Sequence, residues 1–361
     1  MMKTILTLLV SLMVCWGCSA EKQSSFPPSD LIVAVEFDHD TIQELAPGSD
    51  NWAITWAAND EQYTTWGDGG GFGGDNKLGR VSMGVAKIAG TPEQFDAINV
   101  WGGHNALAEA SFPGKSYGLL AIGNELWMWR TGNASDGSAF KLQELYVSRD
   151  LAKSWDFTGV KFTTEVFGQS NPFFAPTFLQ FGPGYSGALD DYVYIYAPDV
   201  TLDQWEVQIP GSISLMRVLK TKLSQLEAYE YFAGFDEQGV PKWGDSPEKR
   251  EPVFSDKNGV MRTSVTYNAG LKRFLLTTQQ VSRYPDDGHI GIYESINPWG
   301  PWKTVLFDNA WDLGLQSGRK NVYWNFSNKW TSLDGLNFTM VYTGPGPDNF
   351  GLINGRFVVQ E

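Results

Sequence analysis

Two aspartates, Asp50 and Asp68, bracket a segment that reads as one hairpin. A strand over residues 51–57 leaves Asp50, turns at Asn59-Asp60, and returns along Gln62 to Trp66. In an antiparallel hairpin the start of the first strand and the end of the second lie side by side. Both carboxylates are therefore expected on one face. A pair of neighbouring carboxylates suits hydrolysis of a glycosidic bond, one acting as general acid and the other as base or nucleophile. Each aspartate also suits a turn: Asp50 follows Gly48-Ser49, and Asp68 sits in Trp-Gly-Asp-Gly. The residues alone favour neither reading. The run Gly69 to Gly74 would let backbone approach a ligand closely.

The elements that would position this pair recur along the chain. Five hairpins share a second strand of similar make-up: Tyr63–Asp68, Leu126–Thr131, Val193–Pro198, Phe274–Gln279 and Phe338–Thr343. Turn residues precede each: Asn59-Asp60, Gly123-Asn124, Gly182-Pro183-Gly184, Ala269-Gly270 and Asp334-Gly335. Ser82–Lys87 and Ser214–Val218 read as third strands of two repeats. The segment Ser148-Arg-Asp150-Leu-Ala152-Lys-Ser154-Trp155 matches Ser295-Ile-Asn297-Pro-Trp299-Gly-Pro-Trp302 in register. It resembles the Asp-box of sialidase-type propellers, with Ala152 in place of glycine and Ser154 in place of threonine, and its expected job is structural. Five repeats of about four strands each predict an all-β, five-bladed β-propeller. A β-sandwich with irregular insertions is the weaker alternative. Helical turns are expected only at Pro92–Asp96 and Lys222–Tyr229.

The hairpin geometry also predicts which residues share the mouth with the aspartates. They are His104 before the second hairpin, Arg130-Thr131 at its end, Asn171 and Asp199 around the third, Arg262 and Gln279 around the fourth, and Arg319 to Asn321 before the fifth. Trp52 and Trp66 are expected to offer ring faces to a sugar, and His104, Arg130, Asn171, Arg262, Gln279 and Asn321 to bind its hydroxyls. A lone member such as His104 equally suits a loop residue bonding backbone. Asp190-Asp191, Glu230 and Glu294 rank below the pair, as strand-opening or packing carboxylates.

Composition narrows the partners. The 361 residues carry a net charge of −14, which disfavours nucleic acid and anionic membrane. Lys3 and the apolar stretch Ile5–Val14 read as a signal segment too short to span a bilayer. Gly17-Cys18 resembles a bacterial lipoprotein cleavage site, so residues 1–18 are expected to be removed up to an acylated Cys18. Ordinary cleavage near Ala20 is the rival. Residues 19–35 read as a tether and 36–361 as one catalytic domain. The expected location is outside the cytoplasm, as an outer-membrane-anchored lipoprotein or in the periplasm, with the membrane met only through the lipid. Both cysteines, Cys15 and Cys18, lie in this leader, so the mature domain offers neither disulfide nor thiolate. His39, His104 and His289 have no metal-ligand spacing. No metal or cofactor is predicted, although a single cation in the axial channel is compatible with the pattern. A monomer is expected.

Asp50-Asn-Trp52, Thr55-Trp56, Trp66-Gly-Asp68-Gly69, Tyr192-Val-Tyr194, Tyr229-Glu-Tyr-Phe232-Ala-Gly234, Tyr267-Asn268-x-Gly270-x-Lys-Arg273 and Asn297-Pro-Trp299-Gly-Pro-Trp302 together resemble a bacterial propeller-domain family formerly of unknown function. Some of its members are glycoside hydrolases that degrade D-arabinan. The resemblance implies a polysaccharide or oligosaccharide substrate, with Asp50 and Asp68 as the acid/base pair. One departure is Gly69-Gly70-Gly71, where a more ordinary loop is expected; a remodelled mouth implies another substrate or another reaction. Two further functions stand beside hydrolysis. A lyase or dehydratase could act by β-elimination on uronic-acid-containing oligosaccharides such as those of algal ulvan, using His104, Arg130, Arg262 and a tyrosine. A non-catalytic glycan-binding lipoprotein would use the aromatics without the carboxylates.

Overall fold

The computed structural model describes residues 23–132, 138–281, 289–309, 321–344 and 348–360. The signal segment, Cys15, Cys18 and Arg319 lie outside the described residues. No helix among those described is long and apolar enough to cross a membrane.

The chain is all-β. It opens with β1 (Ile32–Leu45), then builds a four-stranded antiparallel sheet from β2 (Ile54–Trp56), β3 (Gln62–Gly69), β4 (Val81–Thr91) and β5 (Gln94–Trp101). A second such sheet follows, with β6 (Lys115–Ile122), β7 (Glu125–Thr131), β8 (Leu142–Ser148) and β9 (Asp156–Thr163). Next come β10 (Thr177–Gln180), β11 (Tyr192–Pro198), β12 (Gly211–Leu219), β13 (Glu230–Phe235), β14 (Pro241–Gly244) and β15 (Pro252–Asp256), then β16 (Thr263–Asn268), β17 (Arg273–Gln279), β18 (Ile290–Ser295) and β19 (Lys303–Asp308). A short parallel pairing of β10 with β16, Leu179 opposite Val265, joins these two groups into one sheet. The last strands are β20 (Val322–Phe326), β21 (Asn337–Thr343) and β22 (Phe350–Val359), and β1 pairs antiparallel with β22, Ile32 opposite Val359. The first and last described strands therefore complete one sheet.

All five expected second strands are present, as β3, β7, β11, β17 and β21. Their aromatic and β-branched residues suit a pleated surface. Most are buried on both faces, as in Leu126–Trp129 and Phe338–Thr343, because each sheet packs against neighbours on either side. The innermost strands β2, β6, β10, β16 and β20 converge on one axial cavity of about 10 Å³, room for about one water. Thr177, Gln180, Ser264, Thr266 and Asn325 supply its polar lining.

The Asp-box-like turn forms as expected. The Ser148 hydroxyl donates to Asp150 (2.8 Å) and accepts from the Ala152 amide (2.8 Å), while Asp150 accepts from the Ser154 amide (2.9 Å) and hydroxyl (2.6 Å). Ala152 adopts φ 72° at the position where the motif has glycine. Trp155 and its counterpart Trp302 are buried.

Three expectations are corrected. Pro92–Asp96 is no helical turn: it spans the tight connection of the β4–β5 hairpin, where Thr91 pairs with Gln94. Lys222–Tyr229 forms no single helix, only separate 3₁₀ turns at Lys220–Lys222 and Leu226–Ala228. Residues 23–35, the described part of the expected 19–35 tether, do not run free. From Gln23 the chain is docked along β19: Ser29 N–H donates to Thr304 O and Thr304 N–H to Pro27 O (both 2.7 Å). The Phe26 ring lies 4.5 Å from that of Phe254, Ser29 donates to the buried Glu294 (2.7 Å), and β1 has already begun at Ile32.

Candidate active site

The ends of β3, β7, β11, β17 and β21, with the starts of the strands they pair with, form one end of the barrel-like array. Asp50 and Asp68 meet there. Asp50 and Gly67 exchange both backbone hydrogen bonds (2.9 and 2.7 Å), which sets Asp50 beside the end of β3. Asp68 sits at φ 56°, a left-handed conformation that aspartate tolerates better than most residues. It turns its side chain out of the strand alternation.

The two carboxylates share a lysine. Lys115, the first residue of β6, places Nζ 3.6 Å from Asp50 Oδ1 and in close contact with Asp68 Oδ2. The Lys115 side chain is 10% exposed, that of Asp50 18% and that of Asp68 44%. Neither Lys115 Nζ nor Asp50 Oδ1 makes a well-aligned hydrogen bond. Arg80 adds a second cation on the solvent side: it donates to the Asp68 carbonyl (2.7 Å) and lies 3.6 Å from its carboxylate. Asp68 is thus held between two cations, while Asp50 meets one, at longer range and deeper.

Behind Asp50 runs a buried network. Asn51, at φ 60°, receives a hydrogen bond from Arg262 Nε (2.9 Å), and its own amide donates to Thr343 Oγ1 (2.8 Å). Arg262 Nη1 donates to Gln279 Oε1 (2.9 Å). Burial pushes the Tyr117 hydroxyl well above its ordinary value, opposed by the Arg262 guanidinium and reinforced by Asp50 and Asp68. Tyr117 therefore stays a protonated phenol, and its hydroxyl accepts from the Arg262 guanidinium, which can only donate. Its carbonyl accepts from the hydroxyl of Tyr323, a residue at φ 56°. That conformation is a true outlier for a tyrosine.

The sequence-predicted residues divide clearly. Arg262 and Gln279 reach the pair through Asn51. Asn321, fully buried just before β20, leaves both its amide nitrogen and its oxygen without a hydrogen-bond partner. Arg130 is held by Glu144 (2.7 Å) and the Pro113 carbonyl (2.6 Å). Asn171 is exposed and gives its carbonyl to Arg250, which also binds Asp199 (2.9 Å). His104 lies against the glycine run, its amide donating to Gly70 O (2.8 Å) and its carbonyl accepting from Asn99 (2.8 Å). Glu230 pairs with Arg217, Glu294 with Arg273, and Asp190 caps the start of β11.

Trp52 and Trp66 do not offer faces to a sugar. Both are fully buried, with ring centroids 5.7 Å apart, and Trp52 also packs on Phe350 (5.1 Å). Their indole nitrogens are spent on the Asn349 carbonyl (2.9 Å) and the Gly69 carbonyl (3.2 Å). The glycine run serves the same core: a Cβ on Gly71 would come within 2.5 Å of the Trp66 ring. Lys115, Tyr117, Asn51 and Arg80 were the residues that the sequence reading missed. Lys115 was findable, since it opens the first strand of the second hairpin as Asp50 precedes that of the first. Among the described residues no group of three His, Asp or Glu side chains could hold a metal ion.

No family model matches the chain, and no curated relative matches it. Solved structures do. A candidate hydrolase from Bacteroides ovatus superposes with a TM-score of 0.52 at 10% identity, over 86% of this chain and 87% of that one. An α-L-arabinofuranosidase from Podospora anserina, solved in complex with cellotriose, gives 0.51 at 10% identity, over 91% and 99%. At such identity the likeness establishes the fold alone: an all-β, propeller-like array.

Proposed function

We propose that the chain is an exported carbohydrate-active enzyme, a glycoside hydrolase acting on a polysaccharide or its oligomers at the mouth of a single five-bladed propeller. The observation that carries this reading is the convergence of Asp50 and Asp68 on one buried ammonium at the axial mouth. Two carboxylates so close, in unequal surroundings, suit division of labour. Asp68, between Lys115 and Arg80, acts as base or nucleophile. Asp50, deeper and farther from the ammonium, is the acid. In the reaction the glycosidic C–O bond breaks, the leaving oxygen takes the proton of Asp50, and the anomeric carbon gains a hydroxyl from water. The proton lost by that water returns to the carboxylate pair. The arabinofuranosidase with a similar fold, and the family that the sequence resembles, some of whose members degrade D-arabinan, make a pentose polymer the first substrate to try. We further propose that acylated Cys18 anchors a monomeric enzyme to the membrane. No cofactor is invoked, and the axial cavity would suit water at least as well as a cation.

A second reading is β-elimination on a uronic-acid-containing oligosaccharide. Lys115 and Arg80 favour it, because cations beside the pair could hold a uronate carboxylate and the negative charge that develops next to it. Of the groups first considered for it, Arg130 is less suited because Glu144 engages it, and burial raises the hydroxyl of Tyr117, the tyrosine behind the pair, which disfavours it as a base. Mass spectrometry of products from arabinans and uronate-rich oligosaccharides separates the readings. Hydrolysis adds one water across each cut, and Asp50→Asn or Asp68→Asn should abolish it. Elimination yields an unsaturated, ultraviolet-absorbing product instead. A wild-type protein that binds these glycans and releases neither product would refute both and leave a binding lipoprotein.

A further inference from the structure

We infer that Lys115 is a positioning residue of this site, the ammonium that holds Asp50 and Asp68 at their working separation. The inference rests on the hydrolase reading above.

A lysine nine-tenths buried is costly unless its charge is met. A buried lysine can spend its three donors on backbone carbonyls or on a single acid. Lys115 does neither. Its nitrogen lies between the two carboxylates and makes no well-aligned hydrogen bond. The seat for this arrangement is Gly67. A Cβ there would stand 2.6 Å from Asp50 Oδ1, 2.7 Å from Lys115 Nζ and 2.9 Å from Lys115 Cδ, so the ammonium and the carboxylate rest directly on bare backbone. Among the described residues, Arg80 meets Asp68 alone, and Arg262 bonds the side chain of Asn51, the residue after Asp50. Arg130 packs its stem toward Gly114 but gives its charge to Glu144. Lys115 alone among these touches both carboxylates. Without it the two side chains lose the contact that ties one to the other.

The test compares Lys115→Met and Lys115→Arg with Asp50→Asn and Asp68→Asn in the full-length protein, on the wild type's best substrate. Near-ultraviolet circular dichroism establishes that each variant is folded. Lys115→Met should lower kcat about a hundredfold, the loss that goes with a misplacement of about 1 Å, and leave KM within about threefold. Lys115→Arg keeps the charge and should recover at least about tenfold of that loss. A folded Lys115→Met with kcat near wild type, beside inactive aspartate variants, overturns the role of Lys115 and leaves the hydrolase reading standing. So does a folded Lys115→Arg no better than Lys115→Met, or a loss confined to KM. Active Asp50→Asn and Asp68→Asn would instead overturn the hydrolase reading itself, whatever the lysine variants do.

Discussion

Gly67→Ala is the smallest perturbation that addresses the geometry of the carboxylate pair, because it removes no functional group. The φ of Gly67 lies outside the left-handed region, so alanine meets no backbone penalty there. Its Cβ would instead fall 2.6 Å from Asp50 Oδ1 and 2.7 Å from Lys115 Nζ, against an ordinary contact of 3.4 Å or more. Both groups must retreat by about 0.7 Å or more, and the lysine has a flexible stem while Asp50 is tied through its backbone to Gly67. The ammonium therefore yields first. Overpacking of this kind should cost about 1–3 kcal/mol of stability, small enough for the fold to survive. A shift approaching 1 Å at reacting groups should cost about a hundredfold in kcat/KM. Steady-state kinetics of product release, paired with urea unfolding, separates the two effects. A Gly67→Ala protein that unfolds cooperatively and keeps kcat/KM within about threefold would refute the idea that the Asp50–Lys115 geometry matters to turnover.

Four other outcomes follow from the same contacts. Trp52→Phe should lower the melting temperature and leave KM within about twofold, since the buried indole presents no face to a substrate; a large rise in KM would contradict its place in the core. Arg250→Met should destabilise the protein by about 3–5 kcal/mol in urea, because it strands the buried Asp199 carboxylate and frees Ser214, Ser170 and the Asn171 carbonyl. Phe26→Ala should cost about 2 kcal/mol by removing a ring tilted against Phe254 and edge-on to Tyr293; no change would mean that the segment before β1 is not docked in solution. Stability should fall in acid. Lys329 holds Asp60 below the usual carboxylate value, and Asp150 is lowered because the Ser154 and Ser148 bonds outweigh its burial. These contributions are present above the ordinary aspartate value and are lost as pH drops through the depressed ones. Asp199 has the opposite sign: burial raises it despite Arg250, so its contribution is full at low pH and fades as pH rises through its folded value. Thermal melts of the wild type and Asp150→Asn from pH 7 to 3 should show a shallower acid decline in the variant; parallel curves would refute the assignment.

The hairpins were legible because their signals are local. A turn residue followed by alternating aromatic and β-branched residues suffices to mark β3, β7, β11, β17 and β21, and the Ser148–Trp155 turn carries its own hydrogen bonds. What joins distant parts of the chain was not legible. Ile32–Leu45 looks like the end of a linker running into a strand until β22 is placed beside it, and nothing in residues 23–31 announces that Ser29 will meet Glu294 or that Phe26 will meet Phe254. Pro92 misled for a related reason. Proline opens helical turns and tight hairpins alike, and only the pairing of Thr91 with Gln94 decides between them.

The candidate site shows the same division, with one instructive reversal. The rule that put Asp50 beside Asp68 was topological, and it reaches Lys115 as readily, because that residue stands at the matching end of the next inner strand. Attention to loop residues such as His104 passed over it. The tryptophans fail for a different reason. A tryptophan two residues from a functional aspartate points, by strand alternation, to the same side only if the backbone stays regular. Here Asn51 at φ 60° and Asp68 at φ 56° break the alternation on both strands, turning the carboxylates to the mouth and the indoles of Trp52 and Trp66 into the core. The glycine run expected to admit a ligand has another neighbour: a Cβ on Gly71 would strike the Trp66 ring, as would one on Gly84 or Gly103 outside the run. The strained aspartate and the buried indole are two sides of one device. Backbone in the left-handed region lifts the acids out of the strand, and the close-packed tryptophans beneath hold that backbone in place.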